Sequence, residues 1–177
     1  NTYNNSALAL KNAKKIIKFT KCDAIKLEGG LKQKKIIKNL INHNIQVVGH
    51  IGLLPQSINN PKKYRALGRT KNERNKILND LEALEELNVK FIVLEAVTKK
   101  LADFICKKSN TPIIGIGASN KCDGQVLVTE DLVGYFDKTP KFVKKYSNVK
   151  NIIDNSIKKF AKDVRLKKFP FNKNLYN

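Results

Sequence analysis

Short apolar runs alternate along the chain with longer segments whose apolar positions recur every three or four residues, a repeating signature of strand followed by helix. Strands are predicted over 23–28 (DAIKLE), 46–51 (QVVGHI), 90–95 (KFIVLE), 112–116 (PIIGI) and 125–129 (QVLVT). The 6–19 segment reads as a helix capped by Ser6, with Leu8, Ala13, Ile16 and Ile17 toward one side. Residues 31–42 place Leu31, Ile36, Ile37, Leu40 and Ile41 at helical spacing. The 70–87 segment opens with Thr70 and has Glu73 three positions on, the pairing of a capping box, ahead of a stripe of Ile77, Leu78, Leu81, Leu84 and Leu87. Further helices are expected over 97–108 and 148–165, with a short one over 140–146 opened by Pro140. Five strands alternating with helices predict an α/β fold with a parallel sheet. No internal repeat or Gly/Ser linker divides the chain, so a single domain is expected. The irregular stretch 52–69 is long enough to carry function.

Composition narrows the class. The net charge of +20 suggests nucleic acid at first, but the basic residues are 31 Lys and only 4 Arg, and the lysines are spread along the chain. Recognition of phosphates and bases favours the planar fork of Arg, so a solvated lysine surface is the expectation and a nucleic-acid partner is not. No apolar run reaches the roughly 20 residues of a bilayer span, so no membrane association is expected. Cys22, Cys106 and Cys122 form no CxxC pair, which fits reduced thiols in a cytoplasmic protein. Two histidines, His43 and His50, are too few for a histidine-rich zinc site. The chain has no Met and begins with Asn, as a piece of a longer polypeptide would.

Ligand sites of parallel α/β proteins lie at the C-terminal ends of the strands, where the loops are free to vary. The first predicted strand ends in Lys26 and Glu28 with Gly29 and Gly30, and the second in Gly49 and His50. The third ends in Glu95, the fourth is followed by Gly117, Ala118 and Ser119, and the fifth lies near Glu130 and Asp131. Lys26 sits inside AIKLE, where a buried ammonium needs a partner, and Glu28 on the same side of the strand could supply it. A purely structural ion pair explains those two residues equally well. Glu95 follows Phe91, Ile92, Val93 and Leu94, a setting suited to a general base, although strand-end carboxylates are more often ion-paired. His50, between glycines, reads either as a hydrogen-bonded core histidine or as a pocket residue.

Together these stretches resemble the ketopantoate hydroxymethyltransferase family. The matching segments are IKLEGG (25–30), VVGHIGLLPQSIN (47–59), GR (68–69), LEALEELNVKFIVLEAV (81–97), TPIIGIGAS (111–119), CDGQVLV (122–128), PKFVKKY (140–146) and DVRLKKFP (163–170). The resemblance implies a cytoplasmic, homo-oligomeric (β/α)8 TIM barrel. It implies transfer of a hydroxymethyl group from 5,10-methylenetetrahydrofolate to 3-methyl-2-oxobutanoate through a Mg2+-stabilised enolate, in pantothenate and coenzyme A biosynthesis. Residue by residue, it makes Glu95 the proton acceptor, Lys26 a ligand of the oxoacid carboxylate, Glu28 a magnesium ligand and His50 a pocket residue near the substrate. It further implies that residues 1–177 are the C-terminal part of one barrel domain, about its last five βα units. The first three units, with two metal-binding aspartates and a substrate serine, are then missing, and the residues alone are expected to be inactive. Lys62 and Lys63 stand where the family has two glycines, and Ser119 where it has a second glycine after GIGA, which touches loop conformation and folate contacts. Other magnesium-dependent enolate-forming barrels, of the phosphoenolpyruvate mutase and isocitrate lyase kind, would need a catalytic Cys in a motif such as KKCGH, which this chain lacks. An inactive fragment or a basic binding module is the remaining alternative.

Overall fold

The structure, a computed structural model, describes residues 2–58 and 64–176. Asn59, Lys62 and Lys63, singled out by the resemblance, lie outside the described residues. The chain resolves into two compact units, Asn1–Val126 and Leu127–Asn177.

The first unit holds one parallel sheet whose spatial order follows the sequence, β1-β2-β3-β4-β5. The strands are β1 Ala24–Lys26, β2 Gln46–Gly52, β3 Phe91–Glu95, β4 Ile113–Ile116 and β5 Gly124–Gln125. Helices α1 (Ser6–Thr20), α2 (Lys34–Asn42), α3 (Lys71–Glu85) and α4 (Lys99–Lys108) join them, with a 3-10 turn over Leu31–Gln33 leading into α2. The observed α/β architecture with five parallel strands is the predicted one.

The two faces of the sheet differ. Val47, Ile51, Ile92, Leu94 and Ile113 are all at most 1% exposed, packed under Ile37, Leu40, Leu81, Leu84 and Ile105 of the helices. Burying each such side chain contributes about 1.5–3 kcal/mol, so this face carries most of the unit's apolar stabilisation. The alternate positions, Val48, Val93, Ile114 and Ile116, are only half-buried, and they share their face with Lys26, His50 and Glu95. Among the described residues no helix of this unit covers that face, so the polar side chains at its strand ends stay within reach of a ligand.

Capping explains several boundaries. Helix α1 is capped by Asn5 rather than Ser6: Asn5 Oδ1 accepts the Leu8 N–H at 2.9 Å. Its buried positions are Ala9 and Ala13, whereas Ile16 points outward, 44% exposed. The capping box at Thr70 and Glu73 forms as expected. Glu73 does more than cap: Oε2 accepts N–H groups of Gly68 at 3.0 Å, Arg69 at 2.9 Å and Thr70 at 3.4 Å, while Oε1 pairs with Arg65. These contacts, led by the Arg65 guanidinium, hold the Glu73 carboxyl down to about 2, against about 4.5 ordinarily. A depressed carboxyl adds stability above the unfolded value and loses it as pH falls through the folded one. The acid-side drop in melting temperature between about pH 4.5 and 2 is therefore expected to be shallower in Glu73→Gln than in the wild type. Equal slopes in a pH series of thermal melts would refute this.

From the end of β5 onward the chain departs from expectation in two places. Instead of a strand over 125–129, β5 ends at Gln125 and the chain turns into a short helix, α5 (Thr129–Leu132), with Glu130 and Asp131 in its first turn, where acidic side chains complement the helix N-terminus. The segment opened by Pro140 forms only a turn, Val143 N–H to Pro140 O at 3.0 Å. Lys145 Nζ donates to the carbonyls of Phe136 and Asp137, and the Tyr146 N–H bonds Leu132 O, so the backbone is held in a return loop. Helix α6 (Val149–Arg165) follows, capped by Asn148.

Candidate active site

Three strand ends converge. Past β1 the chain stays laddered to β2, with Leu27 N–H bonded to Val48 O at 3.1 Å and Gly29 N–H to His50 O at 2.8 Å, which draws Glu28 beside His50. In the β2–β3 register His50 pairs with Val93 and Gly52 with Glu95, so the imidazole and the Glu95 carboxylate stand on the same face one step apart.

His50 is the hub. Its ring is 3% exposed and touches all three other predicted site residues: Nδ1 lies 3.3 Å from Lys26 Nζ and 3.9 Å from Glu28 Oε1, and Nε2 lies 3.1 Å from Glu95 Oε2. An ammonium can only donate, so Nδ1 accepts from Lys26 and the ring proton sits on Nε2, facing Glu95. The distance to Glu95 is short, yet the Nε2–H is not aligned for a hydrogen bond, leaving a buried donor without a hydrogen-bond acceptor. Such a group costs about 1–3 kcal/mol, and a small rotation of the carboxylate would recover it.

Glu95 is 13% exposed at the side chain, on the open edge of the cluster. Its backbone is held from both sides: its carbonyl accepts the Leu53 N–H at 2.8 Å, and the next residue, Ala96, donates to Ile116 O at 2.8 Å. Ala96 has a φ of +47°, unfavourable for a residue with a Cβ, and is held there by Leu67, whose N–H donates to Ala96 O at 2.8 Å.

Lys26 corrects one expectation. It is exposed rather than buried, and it reaches His50 instead of relying on Glu28. Its remaining N–H donors can meet an anion on the uncovered face. Glu28 is the buried member, 6% exposed, and its Oε2 accepts the Gln56 N–H at 3.1 Å. As a hard carboxylate with lone pairs to spare it suits one position on Mg2+, but no group of three His, Cys, Asp or Glu among the described residues could hold a metal. The residues present therefore do not build a magnesium site on their own.

Ser119, among the described residues the other buried polar side chain at a strand end of this unit, is engaged elsewhere. It is 6% exposed, gives its hydroxyl to Asp103 of α4 and accepts the Lys121 N–H at 3.1 Å, a loop-fixing role. Glu130 and Asp131 lie in α5 of the second unit. The central part of His50 does not follow from its position in the sequence, where a lone histidine reads equally as a core residue. Its sequence context is GHIG, whose glycines admit Leu84 of α3 on the covered face, at Gly49, and the Glu95 backbone, at Gly52.

The ketopantoate hydroxymethyltransferase family matches residues 1–172. The 3-methyl-2-oxobutanoate hydroxymethyltransferase of Pelagibacter ubique (strain HTCC1062) is 53% identical over 176 residues, 99% of this chain and 67% of that protein. Those of Helicobacter pylori (strain ATCC 700392 / 26695) and Hyphomonas neptunium (strain ATCC 15444) are 44% and 43% identical, over 96% and 98% of this chain and 63% of each relative. The chain thus spans about two thirds of the length of these relatives. On the extent and identity of these matches, the chain belongs to the ketopantoate hydroxymethyltransferase family.

Proposed function

We propose that the polypeptide containing this chain transfers a hydroxymethyl group from 5,10-methylenetetrahydrofolate to 3-methyl-2-oxobutanoate, giving 2-dehydropantoate. The observation that carries the reading is the Glu95 carboxylate facing His50 Nε2 at the end of β3, with the Lys26 ammonium on the same uncovered face. Lys26 binds the oxoacid carboxylate. Glu95 takes the proton from C3; the Nε2–H of His50, whose ring Lys26 orients, lies 3.1 Å from the Glu95 carboxylate and closes a hydrogen bond to it once that carboxylate rotates. The C3 carbanion equivalent bonds the methylene carbon of the folate and water supplies the hydroxyl, while both C–N bonds of that methylene break and tetrahydrofolate leaves with the C3 proton and one proton of the water on its two nitrogens. Mg2+, when bound, would polarise the keto group, with Glu28 supplying one of its ligands and the remainder coming from substrate, water and residues outside this chain.

The half-buried face of the sheet fits the inner wall of a (β/α)8 barrel, because five parallel strands in sequence order are what consecutive βα units of a barrel give. The whole reading is tested by incubating the complete polypeptide with both substrates and following 2-dehydropantoate by mass spectrometry. Product dependent on both substrates is expected; a well-folded complete protein that makes none would contradict it.

The buried, unaligned Nε2–H adds a second expectation. His50→Leu removes an unsatisfied polar atom, so the melting temperature is expected to hold or rise by a few degrees, while turnover falls roughly 10- to 100-fold through loss of Glu95 orientation. Parallel melts and steady-state rates separate the two effects; unfolding with no catalytic change at permissive temperature would refute it.

A further inference from the structure

Away from the candidate active site, two of the three cysteines meet. Cys106, in the last turn of α4, and Cys122, in the loop between β4 and β5, have their sulfurs 3.3 Å apart and both are half-buried. The contact has room because β4 carries Gly115 there: a Cβ at that position would stand 2.8 Å from Cys122 Sγ. We propose that Cys106 and Cys122 form a dithiol modification site that reacts with low-molecular-weight disulfides to give an intramolecular Cys106–Cys122 disulfide.

The roles of the two sulfurs differ. Burial first, then the hydrogen bond to Cys122, with the nearby carboxylates of Asp123 and Asp103, pushes the Cys106 thiol up to about 12. Cys106 therefore keeps its proton and donates S–H to Cys122 Sγ, which makes Cys122 the sulfur that attacks. In the first exchange the Cys122 thiolate displaces one RS⁻ from RSSR, forming a mixed disulfide. In the second, Cys106 gives up its proton to solvent, attacks Cys122 Sγ and displaces the other RS⁻. Two protein thiols are oxidised, one external disulfide is reduced to two thiols, and no other oxidant is needed. Closing from 3.3 Å to a disulfide bond of about 2.05 Å needs an approach of about 1.2 Å, within reach of side-chain rotation. The product would staple α4, which begins four residues after Glu95, to the β4–β5 loop.

The test uses the folded protein, reduced and then exposed to glutathione disulfide. The expected product is 2 Da lighter than the reduced chain, and non-reducing tryptic digestion yields residues 101–107 joined to residues 122–138, with Cys22 still open to alkylation. The oxidised form is expected to melt roughly 5–10 °C higher, because the bond closes a loop between positions 16 apart in sequence. In Cys106→Ser the same treatment is expected to stop at a stable glutathione adduct on Cys122. Alkylation of both cysteines after oxidation, a lasting adduct on the wild type, or cross-links shared with Cys22 as an unfolded chain would give, would each overturn the proposal.

Discussion

Replacing Glu95 by Gln in the complete polypeptide is expected to lower kcat for 2-dehydropantoate formation by roughly 10²- to 10⁴-fold, the contribution of a positioned general base. The amide keeps the size of the side chain, and its oxygen can stand where the carboxylate oxygen lies, 3.1 Å from His50 Nε2 in the wild type. What it cannot do is carry a proton away from carbon. The backbone of Glu95 is fixed by Leu53, and Ala96 by Ile116 and Leu67, none of which this substitution touches. Because Lys26 retains its place, KM for the oxoacid should change much less than kcat. A variant with wild-type kcat, checked by thermal melting to be folded, would remove Glu95 from the mechanism.

Gly52→Ala is expected to have the largest effect on stability, about 2–4 kcal/mol, and to damage the site as well. Gly52 ends β2 with a φ of +90°, a conformation that a residue with a Cβ adopts only with strain. An added Cβ would stand 2.3 Å from the Glu95 carbonyl oxygen and 2.8 Å from Val97 Cγ2. Backbone must therefore shift, and the backbone in question carries the proposed base. Urea unfolding should show a lower midpoint, with turnover reduced even at low temperature where the protein is folded. A midpoint equal to the wild type would mean that the β2–β3 junction is looser than this packing requires.

Much of this site was legible because each chemical residue lies where an apolar run stops. Glu95 after FIVL, Lys26 and Glu28 around IKLEGG, and His50 within GHIG could be placed by strand periodicity, and their expected roles came from the motifs of the family. Which of them is buried could not be read so directly. Lys26, within a short strand at one edge of the sheet, is exposed, whereas Glu28, past the end of that strand, is buried by the extended ladder to His50. Nor does periodicity reveal that one sheet face is covered and the other half-open, since helix-facing and site-facing positions are both mostly Val, Ile and Leu. The failures from the end of β5 onward have the same origin: QVLVT has strand-forming residues, but the acidic pair Glu130 and Asp131 favours a helix start, and Pro140 opens a segment whose hydrogen bonds run back to residues 132–137.

The central claim is that Glu95 removes the C3 proton of the oxoacid. It is tested most directly with folate omitted, by following exchange of that proton for deuterium in D2O through collapse of the methyl doublet of 3-methyl-2-oxobutanoate in its proton NMR spectrum. Exchange catalysed by the complete polypeptide and reduced to near the uncatalysed rate in Glu95→Gln is the expected result. Equal exchange rates in the folded wild type and variant would contradict the account.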